Sequence, residues 1–211
     1  MNKQIGFTLV EISIVLIIIG LILGGLFVGG QALIANTKAT GTVKLIQDLT
    51  SAVSDFKARY HYLPGDLPIA SQEFSGIPSG TLCDKGNGNG LIEKTPDEVS
   101  CVSQHLVLGG FIKGSAAGIV SPLNPGPSPD VFVMAAKISE VNVAAVNPFP
   151  ATVQNVIEIG TAAQGIPCDA ALSIDGKIDD GDTQKGNVMS NPPCVNGGGG
   201  MPATTILDVG L

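Results

Sequence analysis

Apolar residues dominate the N-terminal part of the chain. Residues 12–37 contain no charged side chain and are mostly aliphatic. An α-helix of about 20 apolar residues crosses the hydrocarbon layer of a bilayer, so this run predicts a membrane-spanning helix. A secretory signal peptide is the alternative, but its apolar centre is only about 7–15 residues long and ends at a small-x-small cleavage site. The run here is longer, and no Ala-x-Ala sequence closes it.

Two charged residues define the N-terminal side of this run. Lys3 is the only basic residue there, so the positive-inside rule places the N-terminus in the cytoplasm and the bulk of the chain outside it. Glu11 stands at the start of the apolar run, near the predicted cytoplasmic face. An ionisable residue in such a segment predicts a function and a partner for its charge.

The helical pattern continues beyond the apolar run but becomes one-sided. The Leu-Pro-Gly sequence at 63–65 ends it, because the residue before a proline leaves the α region and glycine permits a turn. One helix from residue 7 to about residue 60 would be about 80 Å long. Its second half predicts packing against a globular domain through an apolar stripe at intervals of three and four residues. The stripe consists of Ile46, Leu49, Val53, Phe56 and Tyr60.

Weaker patterns organise the remainder of the chain. The Thr-Pro-Asp-Glu sequence at 95–98 has the features of a capping box and predicts a helix that ends at the glycine pair 109–110. Residues 167–179 predict another short helix, with Ala171, Ile174 and Ile178 on one face. The remaining predictions are strands at 131–139 and 153–159 and surface loops at 121–129 and 191–202.

The N-terminal residues resemble a known processing signal. Residues 6–11 read Gly-Phe-Thr-Leu-Val-Glu and follow a short leader with one basic residue. This sequence resembles the cleavage and methylation motif of type IV prepilins and type II secretion pseudopilins, in which the leader ends in Gly and Glu is the fifth residue of the processed chain. The resemblance is specific because leader length, cleavage position and the acid all coincide.

The resemblance implies a pilin-like α+β fold. In this fold a long N-terminal α-helix packs against a small antiparallel β-sheet with short inserted helices and long loops. It further implies that the leader is removed. The implied segments are a leader at 1–6, a long helix at 7–62, with a membrane or filament core at 7–34 and an amphipathic part at 35–62, and a globular domain at 63–211.

The resemblance also implies a role for the acid. A prepilin peptidase would cut between Gly6 and Phe7 and methylate the new amine of Phe7. Glu11 would then lack a partner in its own chain and would neutralise the Phe7 amine of a neighbouring subunit, with Thr8 in the same assembly segment. An acid and an amine attract strongly where the dielectric is low, whereas either one alone is penalised. An interfacial acid that only reaches toward water is the alternative.

Two roles within this group are compatible with the resemblance, and the size, the glycine-rich loops and the two expected disulfides favour the first. One is the subunit of an extracellular type IV pilus, acting in adhesion or motility. The other is a pseudopilin that forms a periplasmic piston of a type II secretion system; Val28 favours it, because many major pilins have a proline there. Each implies a helical homo-oligomer and three partners, namely the prepilin peptidase, the inner-membrane assembly platform and the bacterial inner membrane. A membrane-anchored protein that never polymerises needs neither Gly6 nor Glu11.

Composition agrees with a structural protein. The 211 residues include 28 Gly and 14 Pro, and the formal net charge is −7. Nucleic-acid-binding surfaces are basic, so we expect no nucleic-acid partner. No nucleophile motif such as Gly-x-Ser-x-Gly accompanies His61 and His105, and we interpret both as ordinary surface or core residues. The sequence therefore predicts no enzyme.

Four cysteines in an exported domain predict two disulfides. Three pairings are possible, and we expect neighbours in the chain to pair, Cys83 with Cys101 and Cys168 with Cys194. The crossed pairings would close longer loops but require distant segments to meet. Zinc is not expected, because no two cysteines have the Cys-x₂₋₄-Cys spacing.

Two polar segments raise the question of calcium, which prefers oxygen ligands. One is the loop that contains Asn87 and Asn89, where Lys85 stands at the position of a first ligand. The other is a group of four acids whose spacing does not follow an EF-hand loop. Composition without ligand spacing favours a solvated turn in both segments, and calcium is the alternative; no other cofactor is expected. The four acids are Asp175, Asp179, Asp180 and Asp182.

Overall fold

The structure is a computed structural model. It describes residues 8–94, 97–113, 133–137, 149–160, 165–194 and 204–211, and at 25–36, 38, 133–137 and 204 it describes the backbone alone. The predicted loop at 121–129 lies outside these residues. The chain divides into two compact units, Met1–Thr37 and Lys38–Leu211.

The long helix α1 comprises Leu9–Tyr60. Among the described residues, no helix combines the length and the hydrophobicity needed to cross a membrane. The segment predicted to do so, 7–34, extends beyond the side chains that the structure describes.

The amphipathic part of α1 belongs to the second unit and contains the predicted apolar stripe. Ile46, Leu49, Val53 and Phe56 are all buried there, with Phe56 fully enclosed. The helix ends at Tyr60, where the N–H of His61 bonds the carbonyl of Lys57 and His61 adopts a φ of 65°. The stripe is therefore confirmed, and a left-handed residue ends the helix before the Leu-Pro-Gly turn begins.

An antiparallel sheet packs beside this part of α1. Strand β5 pairs with β2 and with β4, β1 pairs with β2, and the short β3 pairs with the start of β5. The predicted strands contain β1 and β2, whereas β4 and β5 were not predicted. The strands are β1 Val133–Lys137, β2 Asn155–Ile159, β3 Ile166–Pro167, β4 Val188–Asn191 and β5 Thr204–Gly210.

Three short helices complete the described structure of this unit. They are α2 Ala70–Glu73, α3 Val102–Leu108 and α4 Cys168–Ile178, and 3₁₀ turns at Leu82–Asp84 and Val99–Cys101 accompany them. The prediction of α4 is confirmed, since Ala171 and Ile174 are buried on its inner face.

The helix that was expected to begin with a capping box at 95–98 begins later in the chain. Regular structure begins only at Val99, and residues 95 and 96 lie outside the described residues. The Glu98 carboxylate accepts hydrogen bonds from the backbone N–H groups of Asn87 and Glu93, at 3.0 Å and 2.9 Å. Because this side chain is buried, it needs these N–H donors and serves a loop rather than a helix end.

Two large apolar cores stabilise the second unit, and a small third cluster joins Phe149, Val156 and Met189. The sheet core joins residues 39–49 of α1 to the sheet and to α4, and it includes Cys168 and Cys194. The loop core joins residues 52–56 of α1 to the segment 63–106, and it includes Cys83 and Cys101. A long helix packed on a small antiparallel sheet, with short helices inserted, confirms the predicted pilin-like α+β fold.

Candidate functional site

Thr8 and Glu11 form a capping box at the start of α1. Oε2 of Glu11 accepts hydrogen bonds from the backbone N–H and the Oγ1 hydroxyl of Thr8, both at 2.9 Å, and the N–H of Glu11 donates to Thr8 Oγ1 at 3.3 Å. Such boxes satisfy N–H groups that a helix start otherwise leaves unpaired. Glu11 thus has hydrogen-bond donors in its own chain, and the expected partner for its charge, the Phe7 amine of a neighbouring subunit, stays a prediction.

An apolar surface follows this cap directly. Every described side chain from residue 8 to residue 24 is solvent-exposed. Leu9 is 85% exposed, Leu21 74% and Ile17 63%. Soluble monomers rarely expose a contiguous apolar surface of this kind, which marks a contact with another protein or with a membrane. Gly6 and Phe7, the predicted processing residues, lie outside the described residues.

His105 links α3 to the turn after α1. The backbone N–H of Gly65 donates to Nδ1 at 2.9 Å, and Nε2 donates to the carbonyl of Cys83 at 2.8 Å. The ring is fully buried, and this burial lowers the pKa of His105, against the opposing effects of the Cys83 carbonyl and Asp84. Both nitrogens are occupied, so the ring is a neutral structural link with no access to a substrate.

Asp66 anchors the Gly-rich loop at 86–90 by accepting hydrogen bonds from its backbone. Its buried carboxylate accepts hydrogen bonds from the N–H groups of Gly88, Asn89 and Gly90, at 2.6 to 3.2 Å. Burial raises the pKa of Asp66, and these three hydrogen bonds oppose the rise. A Cβ added to Gly86 would lie 2.2 Å from the backbone carbon of Asp66, so the loop requires glycine there. Sequence reasoning missed this anchor.

The first calcium candidate is internally bonded. The amide oxygens of Asn87 and Asn89 accept the backbone N–H groups of Asn89 and Leu91. Both side-chain amino groups donate to Oε2 of Glu93 at 2.8 Å. These amino groups occupy the Glu93 oxygen that a cation would need as a ligand. The loop is therefore a turn that its own hydrogen bonds stabilise.

The second calcium candidate brings three of its four acids together. Asp175, Asp179 and Asp180 each offer a carboxylate oxygen, and these oxygens lie within 4.8 Å of one another. Burial, and then the charges of Asp180 and Asp179, raise the pKa of Asp175 to about 6. Asp182 is directed elsewhere, since its carboxylate bonds Lys185 Nζ at 2.6 Å. That contact lowers the pKa of Asp182.

Both disulfides join neighbours in the chain. Cys83 pairs with Cys101 and Cys168 pairs with Cys194, at Cα–Cα distances of 5.2 Å and 5.5 Å. These are the pairs that the sequence favoured. Each bond lies within one of the two cores.

Comparison with known proteins concerns the N-terminus. Residues 1–27 match the family model of the prokaryotic N-terminal methylation motif. Neither a curated protein nor a solved structure matches the chain. The motif covers the capping box of Thr8 and Glu11 and the exposed apolar surface described at 8–24. The chain thus carries the N-terminal signature of type IV pilins and pseudopilins, which points to a structural protein rather than an enzyme.

Proposed function

We propose that this protein is a structural subunit of an extracellular, type IV pilus-like filament, made as an inner-membrane precursor. The observation that carries the proposal is the exposed apolar surface of α1, which begins directly after the methylation motif's acid. In the precursor the lipid covers this surface, and in the filament the helices of neighbouring subunits cover it. Both environments keep the apolar side chains out of water, so the transfer from lipid to filament never exposes them.

Processing and assembly use the same few residues. A prepilin peptidase removes residues 1–6 and methylates the amine of Phe7, and the inner-membrane assembly platform receives the product. Among the described residues, both bonds from Thr8 use Oε2 of Glu11, which leaves Oε1 open to a second partner. We infer that the Phe7 amine of a neighbouring subunit is that partner. Cap and intersubunit contact are then compatible in one carboxylate.

The first prediction tests processing. Gly6→Val places a branched side chain at the cleavage site, and we expect full-length precursor to accumulate in the membrane fraction. Gly20→Val is the matched control, because a Cβ at Gly20 has open space around it in the chain. N-terminal peptide analysis of both proteins gives the result. Mature protein that begins at Phe7 in the Gly6→Val strain would contradict the cleavage assignment.

A pseudopilin of a type II secretion system is the second candidate, favoured by Val28 in place of a proline. Electron microscopy of sheared cell-surface material, with peptide identification, separates the two roles. We expect filaments that contain this protein at its native expression level. Protein confined to the periplasmic side, together with a secretion defect on deletion, would exclude the pilus and favour the pseudopilin.

A further inference from the structure

Asp175 is a buried acid in the last part of α4. Its side chain is fully enclosed, and neither carboxylate oxygen makes a hydrogen bond of good geometry in the described structure. The N–H of Gly181 is close enough to favour the charged form but does not complete such a bond. A buried carboxylate without a partner is strongly unfavourable, so this arrangement requires an explanation.

The turn after α4 brings two more acids to this carboxylate. Asp179 and Asp180 are exposed, and an oxygen of each lies within 4.8 Å of an Asp175 oxygen. Their like charges repel Asp175. The C-terminal end of a helix is also the negative end of its dipole, which disfavours anions further. Three carboxylates therefore lie close together, although the helix dipole and their mutual repulsion both disfavour this arrangement.

The nearby cations do not relieve this repulsion. Lys177, in the last turn of α4, donates to the hydroxyl of Ser173 at 3.0 Å. Lys185 is bonded to Asp182, and its effect on the cluster is a weaker attraction to Asp180. Asp179 and Asp180 each keep one oxygen bonded to a backbone N–H, of Asn187 and Asp182 respectively, which fixes the turn. The three acids are thus held together without a cation from the described chain.

We propose that Asp175, Asp179 and Asp180 bind a divalent cation, and that this cation is Ca²⁺. Carboxylate oxygens suit Ca²⁺, which accepts irregular coordination, whereas Mg²⁺ requires a near-ideal octahedron and loses its water reluctantly. Asp182, the fourth acid of the cluster in the sequence, is not a ligand in this assignment because Lys185 occupies it. The cation would tie the end of α4 to the turn that leads into β4. This site is independent of the filament role proposed above.

The test uses full-length protein in detergent, stripped of metal with EGTA and titrated with CaCl₂ while thermal unfolding is followed. We expect the midpoint of the wild type to rise with CaCl₂, with half of the effect at roughly 10⁻⁴–10⁻³ M, the range of extracellular calcium modules. Asp182→Asn, the matched control, should respond as the wild type does. Asp180→Asn removes one exposed ligand and should weaken the response on the order of tenfold.

Asp175→Asn separates metal binding from stability. In EGTA this variant should melt above the wild type, because a buried, repelled charge is gone, and CaCl₂ should leave its midpoint unchanged. A wild type that does not respond to CaCl₂ overturns the proposal, as does an Asp175→Asn protein that responds equally. An equal response of the wild type to MgCl₂ overturns the choice of Ca²⁺.

Discussion

Glu11 is one side chain with two tasks. Its carboxylate caps the first turn of α1 through Thr8, and the proposed filament requires its charge for a neighbouring Phe7 amine. The two tasks depend on different properties. Capping needs an acceptor oxygen, which glutamine also supplies, whereas the intersubunit contact needs a negative charge.

The second prediction uses this difference. Glu11→Gln keeps the cap and removes the charge, and Glu11→Ala removes both. We expect both variants to be cut after Gly6 and both to yield few filaments by electron microscopy, because the attraction to the amine is lost in each. Normal filaments from Glu11→Gln, with a defect confined to Glu11→Ala, would show that the acid acts only as a cap.

The capping box of α1 is visible in the sequence, whereas the charge of Glu11 alone predicts only a partner in another subunit. The Thr-x-x-Glu spacing at 8–11 is a local signal and was available. Asp66 is different, because its partners at 88–90 are more than twenty residues away and only the folded loop places them. The burial of Asp175 is likewise a property of the folded unit, since the sequence shows the neighbouring acids but not that this carboxylate is enclosed. Local chemistry was predictable, and long-range burial of charge was not.

A hydrogen bond connects the turn that follows α1 to helix α3. The Leu-Pro-Gly-Asp turn at 63–66 and the Gln-His-Leu sequence at 104–106 contact each other through the bond from Gly65 to His105. His105 also lies in the aromatic group of the loop core, stacked near Phe56 at a centroid distance of 6.0 Å. A neutral imidazole therefore connects the end of the long helix to α3.

The third prediction is a pH dependence of this connection. The folded-state pKa of His105 is below its ordinary value of 6.5, so between these two values the unfolded chain binds more protons. The stabilising contribution is complete above about pH 6.5 and is lost as the pH falls toward the folded-state pKa. Urea unfolding at pH 7.5 and pH 5.5 measures the loss.

Two variants isolate His105 from other titrating groups. Asp66, Glu98 and Asp175 have raised pKa values and give the opposite slope, so the comparison must be between proteins at each pH. His105→Gln should lose about 2 kcal/mol at pH 7.5, because buried partners lose hydrogen bonds, and should lack this part of the acid sensitivity. His61→Asn, at an exposed helix end, should retain it. Equal slopes for wild type and His105→Gln would refute the assignment.

Periodicity decided which elements were predictable. The stripe of α1 and the inner face of α4 each bury one side, so their spacing is visible in the sequence. Strand β5 is buried on both faces, with Ile206, Leu207, Asp208 and Val209 all enclosed, and so it lacks the alternation that marks a half-exposed strand. Strand β4 has only four residues and ends at Asn191. The sequence pattern therefore did not predict β5, the central strand of the sheet, or the short β4.

The two large apolar cores of the second unit both contain residues of α1. The sheet core and the loop core occupy successive parts of α1, and each encloses one disulfide. Pairing between neighbours follows from this arrangement, because cysteines of one core do not meet those of the other. The sequence favoured the same pairs from chain separation alone. It could not exclude crossed pairs, since the number and position of the cores depend on β4 and β5.

The fourth prediction concerns the independence of the two disulfides. They close separations of 18 and 26 residues, and chain entropy predicts a loss of about 3 kcal/mol from the free energy of unfolding when either is removed. The variants are Cys83→Ala with Cys101→Ala, and Cys168→Ala with Cys194→Ala. Each serves as the control for the other, and hydrogen exchange followed by mass spectrometry reads where protection is lost.

We expect the two losses to fall in different places. Removal of the first bond should raise exchange in α3 and the loops of the loop core, because that core has little regular structure to hold it. Removal of the second should raise exchange in α4 and at the end of β4, because the bond joins the first residue of α4 to Cys194, shortly after β4 ends. The first variant should keep protection at Ile46 and Leu49, since these residues lie in the sheet core, which does not contain Cys83 or Cys101. Loss of the same peptides in both variants, or a non-reduced peptide joining a cysteine of one core to the other, would contradict two separate cores.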